Sequence, residues 1–375
     1  MKFLHLSDLH IGKNLDGISM IDEQLYAFSQ IISYVKTHSP DAVIIAGDIY
    51  DRAIPSVEAV CVFDDFLTEL SALGVATMII AGNHDSPERI SFASRLLSDK
   101  GLFLCGGYGG KIPMVTLTDE HGEVHFWLLP FIKPSSMRGI HSEAVETHEE
   151  AVALALENSN INYNERNILV SHQFFVKAGL APIRSDSELD PVGGLDAVSS
   201  TLVESFDYVA LGHLHRAQAV GAAHIWYCGS PIKYSFSEWQ HYKSVTMVEL
   251  KNKGDINITT LPLFPIHDMR AVKGKLEQIL AGDPSEDYLW VTLTNEEDII
   301  DPMEKLRSRF PNILRLDFDN ARPTVDIAAI TAKTEAIEDL SIYDLFEEFF
   351  LKIQGSTMSC EQGSIVRELL EVSDE

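Results

Sequence analysis

The fold is decided by seven residues, Ile79-Ile80-Ala81-Gly82-Asn83-His84-Asp85. An apolar run typical of a buried strand stops at a glycine and is followed by an amide, an imidazole and a carboxylate. Buried parallel strands have this pattern, and in α/β sheets the reactive groups lie just beyond the carboxyl ends of such strands. The stretch therefore predicts a strand of a parallel sheet with functional side chains at its end.

The same pattern, an apolar strand followed by polar residues, recurs four more times. The repeats are Phe3–Ser7 before Asp8 and His10, Ala42–Gly47 before Asp48, Asn167–Ser171 before His172, and Tyr208–Gly212 before His213 and His215. Five strand ends thus carry three aspartates, one asparagine and five histidines. Carboxylates, amides and imidazoles are ligands of divalent metals, so the set indicates a metal site rather than an ordinary surface.

The segments between the first three strands predict amphipathic helices. In the first segment, apolar residues recur every three or four positions from Ile21 to Val35. In the second, Pro55-Ser56 opens a helix that Gly74 closes. Strands alternating with helices predict a parallel sheet with right-handed crossovers.

The middle of the chain predicts further strands and one long loop. A hairpin is expected over Ile112–Leu117 and Val124–Leu129, and a helix over about Ser142–Glu157. Further strands are expected near Ile225–Cys228, at Val245–Leu250 and at Ile256–Leu261. The polar stretch from Gln173 to Gly194 contains Pro182, Pro191 and Gly193-Gly194, and we interpret it as a substrate loop.

The length of 375 residues exceeds one ordinary core and predicts more than one domain. We expect a first domain over residues 1–265, a small α/β module over 266–335 and C-terminal helices over 336–375. The module is predicted from strands and helices in alternation, namely Met269–Val272, Lys275–Leu280, Tyr288–Leu293, Pro302–Phe310 and Ile313–Phe318. The apolar stripe from Ile342 to Ile353 favours a helix that docks a partner, the alternative being a helix packed on its own domain.

Composition excludes several classes of protein. The four cysteines form no CxxC pair, which excludes a thiolate zinc site and a disulfide framework. No signal peptide and no membrane-spanning run is recognised, so a cytoplasmic location with no membrane is expected. The net charge of −27 repels polyanions. A nucleic-acid substrate would therefore require positive charge from a partner and from bound cations.

The five strand ends together resemble the calcineurin-like metallophosphoesterase superfamily. The motifs that carry the resemblance are Asp8-x-His10, Gly47-Asp48, Gly82-Asn83-His84-Asp85, His172 and Gly212-His213-x-His215. Within the superfamily, the segments His5–Gly12, Gly82–Pro87, Gly212–Arg216 and Gly229–Pro231 are similar to the nuclease subunits of double-strand-break repair complexes. The resemblance implies an α/β fold with a two-sheet β-sandwich core flanked by helices.

The resemblance also implies a role for each motif residue. Two divalent metal ions, most simply Mn²⁺, are expected. Asp8, His10 and His215 would hold one ion, and Asn83, His172 and His213 the other. Asp48 would bridge the two ions. His84 would protonate the departing 3′-oxygen, and Asp85 would fix the orientation of the His84 imidazole.

The implied function is a DNA phosphodiesterase with double-strand 3′→5′ exonuclease and single-strand or hairpin endonuclease activity, ATP-dependent through a partner. The family places a capping domain near the DNA, binds an ABC-type coiled-coil ATPase through the region matching residues 340–372, and forms a homodimer within a heterotetramer. The alternatives are a phosphodiesterase or phosphatase acting on small nucleotides or phosphoproteins, and a non-catalytic interaction module.

Two further features bear on catalysis and DNA binding, namely the residue at position 51 and a set of basic side chains. Asp51 stands where some relatives carry a histidine, and neighbouring Arg52 is expected to form an exposed salt bridge. Six cations are candidates for phosphate contacts, or else ordinary surface charges: Lys13, Arg52, Lys111, Lys133, Arg184 and Arg216.

Overall fold

The computed structural model describes residues 1–140, 144–177, 182–188, 196–297, 299–319, 342–354 and 357–371. The chain forms two compact units, Met1–Arg270 and Ala271–Glu375. The division into 1–265, 266–335 and 336–375 stays a prediction. Of the expected substrate loop, Pro191 and Gly193-Gly194 lie outside the described residues, as does the stretch from 320 to 337 at the end of the expected module.

The first unit contains most of the strands. They are β1 (Lys2–Leu6), β2 (Asn14–Leu15), β3 (Ile18–Ser19), β4 (Ala42–Ala46), β5 (Ala76–Ile80), β6 (Leu102–Cys105), β7 (Met114–Asp119), β8 (Gly122–Leu129), β9 (Arg166–Ser171), β10 (Phe174–Val176), β11 (Ala197–Ser199), β12 (Tyr208–Leu211), β13 (Gln218–Val220), β14 (Ala222–Tyr227), β15 (Ser244–Leu250) and β16 (Ile256–Pro262). Three more strands follow: β17 (Met269–Gly274), β18 (Tyr288–Leu293) and β19 (Ile313–Phe318).

The helices of the described residues alternate with these strands. They are α1 (Ile21–His38), α2 (Val57–Ala72), α3 (Pro87–Ile90), α4 (Ser94–Leu97), α5 (His148–Asn158), α6 (Leu276–Leu280), α7 (Pro302–Arg307), α8 (Ile342–Gln354) and α9 (Cys360–Glu371). Short 3₁₀ helices lie at Ser98–Lys100, Pro134–Met137, Ser200–Val203 and Phe236–Glu238. None of the helices in these ranges is long and apolar enough to cross a membrane.

Two six-stranded sheets form the first unit. The first has the order β16-β15-β1-β4-β5-β6, in which β1, β4, β5 and β6 run parallel. The second has the order β13-β14-β12-β9-β8-β7, in which β14, β12, β9 and β8 run parallel. Every strand predicted to end before a polar motif therefore lies inside a parallel array.

The two sheets pack face to face because alternate residues of their strands are apolar on both sides. Phe3 and Ile44 of the first sheet share a buried cluster with Phe126 and Val170 of the second. The outer face of the first sheet packs on α1 and α2, and that of the second sheet packs on α5. The predicted two-sheet sandwich flanked by helices is confirmed.

The helix expected from about Ser142 begins later. The structure starts α5 at His148, because Thr147 forms a capping box with Glu150. The Thr147 side chain accepts a hydrogen bond from the Glu150 N–H, and the Glu150 carboxylate accepts one from the Thr147 N–H. The strand β6 was not predicted from the sequence.

The second unit holds a small α/β module and two C-terminal helices. Strands β17, β18 and β19 form a three-stranded sheet whose apolar side chains pack with those of α6 and α7. Helices α8 and α9 contact each other, with the Arg367 guanidinium 4.5 Å from the centre of the Tyr343 ring.

Candidate metal centre

The predicted site residues meet at one edge of the sandwich. From the first sheet, Asp8 and His10 follow β1, Asp48 follows β4 and Asn83 follows β5. From the second sheet, His172 follows β9, and His213 and His215 follow β12. Because the strands that precede these residues run parallel within each sheet, their carboxyl ends bring the polar residues to a common edge.

The donor atoms of these side chains face one another at short range. Asn83 Oδ1 lies 3.1 Å from His172 Nε2 and 3.1 Å from His213 Nδ1. His172 Nε2 lies 3.2 Å from Asp48 Oδ2. On the other side, His10 Nε2 lies 3.2 Å from His215 Nε2 and 3.7 Å from Asp48 Oδ2.

Three overlapping groups of donors satisfy the spacing that a metal ion requires. They are Asp8-His10-His215, His10-Asp48-His84 and Asp8-Asp48-His172. Asp48 belongs to two of the groups and is therefore placed to serve both halves of the cluster. Converging carboxylate, amide and imidazole donors, all buried except the half-buried Asn83 amide, fit a pair of divalent ions such as Mn²⁺.

The backbone at the cluster is held in an unusual conformation. Four of the predicted ligands have positive φ angles: Asp8 at 54°, His10 at 42°, Asp48 at 51° and His213 at 105°. Such conformations cost about 1–3 kcal/mol each and persist where the surrounding structure enforces them. Here the Asp8 N–H donates to the Gly47 carbonyl and the His10 N–H donates to the Asp48 carbonyl. These two hydrogen bonds hold the ends of β1 and β4 together.

Two glycines make room for the donors. A Cβ on Gly82 would lie 2.1 Å from Oδ1 of Asp48, and a Cβ on Gly47 would lie 2.4 Å from Nδ1 of His172. Gly47 also has a φ of +89°, which side-chain-bearing residues rarely adopt. Glycine is therefore required for the close approach of the donors at both positions.

The protonation of the cluster follows from burial and mutual charge. Burial favours neutral groups, but the pKa of Asp48 lies well below its usual value because His172 and other histidines surround it. Burial likewise opposes charge on His172, yet the Asp48 and Asp8 carboxylates raise its pKa to about 9. For His213, burial and the neighbouring His172 outweigh the effect of the Asp48 carboxylate and lower the pKa to about 3.

His84 occupies a different position from the buried carboxylates and imidazoles among the predicted ligands. Its side chain is 21% exposed, whereas that of Asp48 is 3% exposed. Nδ1 of His84 lies 2.9 Å from the Asp51 carbonyl oxygen, and Nε2 lies 4.0 Å from Oδ2 of Asp48. The ring is anchored on one nitrogen and presents the other to the space in front of the cluster.

Comparison with known proteins agrees with this geometry. The family model described as calcineurin-like phosphoesterase matches residues 1–217. A protein of Staphylococcus epidermidis, named as the D subunit of nuclease SbcCD, is 30% identical over 384 residues, covering 99% of this chain and 98% of the relative.

The chain belongs to the SbcD family of calcineurin-like phosphoesterases.

Two further sequence matches agree with this assignment, and one solved structure is also similar. A second SbcD relative, the protein of the same name from Staphylococcus saprophyticus, is also 30% identical and covers 99% of this chain and 98% of its own length. The model SbcD_C, described as type 5 capsule protein repressor C-terminal domain, matches residues 265–353. The crystal structure of TT1561 of Thermus thermophilus has a TM-score of 0.39 at 13% identity, covering 69% of this chain and 98% of that one. As a member of the SbcD family, the chain is a metal-dependent phosphodiesterase.

The structure of this SbcD-family site corrects the prediction for Asp85. Its carboxylate accepts hydrogen bonds from the backbone N–H groups of Ile49, Tyr50 and Gly82 and is not the partner of the His84 ring. The His84 ring bonds to the Asp51 carbonyl instead. Asp85 therefore ties the ends of β4 and β5 together. Burial, with the nearby Asp48 charge, raises the pKa of Asp85 to about 6.

Asp51 is held between two cations. Lys13 Nζ lies 2.9 Å from Asp51 Oδ1, and Arg52 Nε lies 3.6 Å from Oδ2. The Arg52 side chain is 80% exposed, so the expected exposed salt bridge is present. The Lys13 side chain is 18% exposed and brings a positive charge within reach of the cluster.

In this SbcD-family fold, the predicted ligands are supported from behind by side chains that the strand-end pattern did not indicate. Glu188 Oε1 accepts the His215 N–H at 2.7 Å, and Glu238 Oε1 lies 3.0 Å from His215 Nδ1. Gln24 Nε2 donates to the His10 carbonyl at 2.8 Å. None of these residues follows a strand, so the strand-end pattern could not identify them. The sequence feature that could have indicated Glu238 is its position as a lone glutamate within the aromatic stretch from Tyr234 to Tyr242.

Proposed function

We propose that this chain is a two-metal DNA phosphodiesterase, a double-strand 3′→5′ exonuclease and single-strand or hairpin endonuclease acting in DNA recombination, replication and repair. The observation that supports this most is the convergence of seven donor side chains from both sheets, with His84 beside them. The metal we propose is Mn²⁺, which suits mixed oxygen and nitrogen ligands. The proposed location is the cytoplasm, where bacterial DNA lies.

The ligands divide into two groups in this proposal. Asp8, His10 and His215 would hold one ion, Asn83, His172 and His213 would hold the other, and Asp48 would hold both. The ions, when bound, neutralise phosphate oxygens and lower the pKa of a water molecule that attacks phosphorus.

The chain's own residues supply the remaining chemistry. The Asp51 carbonyl accepts a hydrogen bond from Nδ1–H of His84, so the ring in its imidazolium form presents Nε2–H and would donate that proton to the departing 3′-oxygen. Its partial exposure lets DNA reach the ring, while the buried ligands stay shielded from bulk water. Asp85 contributes indirectly, because its three backbone hydrogen bonds hold the segments that carry Asp48 and Asn83.

The proposal includes a partner because the chain is strongly acidic. A net charge of −27 disfavours binding of DNA by this chain alone. We assign the ATP dependence and much of the DNA-binding surface to the ABC-type coiled-coil ATPase, SbcC. Helix α8 offers it exposed apolar side chains, with Ile342 68% exposed and Phe349 56% exposed. The small module is assigned to DNA positioning, and the assembly to a homodimer within a heterotetramer.

A cleavage assay tests the proposal. The purified chain, with Mn²⁺, is given a linear duplex and a hairpin, with and without the ATPase and ATP. We expect release of nucleotides from 3′ ends, stimulated by the ATPase, and no cleavage after addition of a chelator. Hydrolysis of small nucleotides or phosphoproteins, with no DNA cleavage in any combination, would instead favour a small-substrate phosphatase.

A further inference from the structure

A charged, buried network stands behind His215, on the side of the ring away from the donor cluster. Nε2 of His215 faces the cluster, 3.2 Å from Nε2 of His10. Nδ1 lies 3.0 Å from Oε1 of Glu238. Since an ionised carboxylate can only accept, the proton of the neutral ring lies on Nδ1 and the lone pair lies on Nε2.

Glu238 is itself held by a second residue. Lys243 Nζ lies 2.5 Å from Oε2 of Glu238, and the hydroxyl of Ser187 donates to Oε1 at 2.5 Å. Lys243 also donates to the His215 carbonyl at 2.9 Å and to Oγ of Ser230 at 2.7 Å. The lysine thus binds both the backbone of His215 and the carboxylate that contacts its ring.

The ion pair of Glu238 and Lys243 is buried, and its carboxylate has no contact with solvent. Glu238 is 0% exposed and Lys243 is 8% exposed. Burial alone would raise the pKa of Glu238, but the charge of Lys243 and the hydrogen bonds from Lys243 and His215 hold it below its usual value. A buried ion pair seldom adds much stability over apolar residues of the same size. Its contacts with both ends of His215 indicate a role in orienting that residue.

The ligand His172 is supported differently. Its second nitrogen, Nδ1, donates to the Ala46 backbone carbonyl at 2.7 Å. That acceptor belongs to strand β4 and is neutral. A charged acceptor makes a stronger hydrogen bond and raises the basicity of the imidazole more than a neutral one does.

We propose that Glu238 is a positioning residue for metal binding: it fixes the tautomer and orientation of His215, and Lys243 holds Glu238 in place. The inference rests on the proposed function in taking His215 as a ligand. It predicts that the half of the cluster formed by Asp8, His10 and His215 depends on Glu238 for its affinity, whereas the half formed by Asn83, His172 and His213 does not.

Calorimetric titration of Mn²⁺ into the metal-free chain tests this. In Glu238→Ala we expect one of the two binding steps to weaken by about 10–100-fold, the usual cost of losing an outer hydrogen-bond partner. The other step should keep its affinity. In Glu238→Gln the amide oxygen can still accept the Nδ1–H, so most of the lost affinity should return.

Asp207 provides a matched control. It is a buried carboxylate whose Oδ2 lies 3.1 Å from Lys253 Nζ, and it precedes β12 while His213 follows that strand. Asp207→Ala should lower the melting temperature and leave both manganese affinities unchanged. An equal loss of affinity in Asp207→Ala and Glu238→Ala would overturn the proposal, because it would show general destabilisation.

A double variant covers the case in which Glu238→Ala does not fold. Glu238→Leu with Lys243→Met replaces the ion pair by apolar side chains, which buried pairs often tolerate. It should show the same loss at one step, and two unchanged affinities would overturn the proposal. Selective weakening supports the inference even if the wild-type chain cuts no DNA, a result that would refute only the proposed function. A wild-type chain that binds no manganese would refute both.

Discussion

The sandwich carries buried charged groups at both of its edges, and the two sets are built differently. At the edge opposite the cluster, two acids have a cation as partner: Asp119 binds Arg166 through hydrogen bonds of 3.1 and 2.6 Å, and Asp207 binds Lys253 at 3.1 Å. At the cluster, Asp8 and Asp48 face imidazoles, and the backbone is forced to positive φ. Burial of charge alone therefore does not identify a functional site.

The difference lies in what each acid is able to do. A carboxylate that is paired with a lysine or arginine away from the donor cluster, such as Asp119 or Asp207, is a structural group, and its removal should affect stability. A carboxylate among imidazoles and an amide has donors as neighbours that a divalent cation can share. The following substitutions separate these two roles.

The largest effect is expected for Asp48→Ala. Its carboxylate serves both halves of the cluster, so both manganese-binding steps should weaken. Turnover on duplex DNA should fall by about 10⁴-fold or more, because several kcal/mol of charge stabilisation is lost at each ion. Isothermal titration and a nuclease assay measure the two effects. Asp255→Ala, in the exposed turn between β15 and β16, is the control, and retention of two tight sites in Asp48→Ala would contradict the shared role.

His84→Ala should lower turnover without changing metal content. The expected loss is about 10³-fold, within the range of a general acid. His121→Ala, in the turn between β7 and β8, serves as the control histidine. Loss of bound metal in His84→Ala, measured by elemental analysis, would refute its assignment as a proton donor and make it a ligand.

Gly82→Ala tests the close approach at the cluster. A methyl group there would meet Oδ1 of Asp48 at 2.1 Å and must displace the carboxylate. We expect manganese affinity to fall by about tenfold and the free energy of unfolding to fall by about 1–3 kcal/mol. Gly109→Ala, where an added Cβ meets nothing within 4 Å, should change neither quantity. Unchanged metal binding in Gly82→Ala would show that the cluster tolerates a shifted Asp48.

Asp119→Asn should have the smallest effect on function and act on stability instead. The hydrogen bonds from Arg166 hold the pKa of Asp119 below its usual value in the folded chain. The unfolded chain thus binds the proton more tightly, and the stabilisation is full above about pH 3.9 and declines as the pH falls below it. Urea unfolding at pH 7 should show a loss of about 1.5–3 kcal/mol that shrinks below pH 4. Any change in manganese affinity would contradict the separation of the two edges.

The sequence was sufficient to predict the parallel strands and the polar side chains that converge at their ends, whereas the two-sheet sandwich was implied by the family resemblance. An apolar run followed by Asp-x-His or Asn-His can be recognised locally, and the topology then brings the ends together. The role of Asp85 could not be predicted. Its neighbour in sequence is His84, but its carboxylate turns toward backbone N–H groups on the preceding strand end.

Residues that support the ligands escaped prediction for a related reason. Glu238 and Lys243 reach His215 only after a loop of the chain folds back on it, and no periodicity marks such a contact. The start of α5 was also misplaced, since the capping box of Thr147 and Glu150 outweighed the apolar pattern upstream.

Each half of the cluster joins the two sheets. Asp8 and His10 of the first sheet face His215 of the second, and Asn83 of the first faces His172 and His213 of the second. Any species that binds only the folded state lowers the unfolded fraction as its free concentration rises. Cations bound here would crosslink one sheet to the other. Scarcity of manganese would therefore shorten the lifetime of the protein in the presence of cellular proteases, in addition to abolishing its activity.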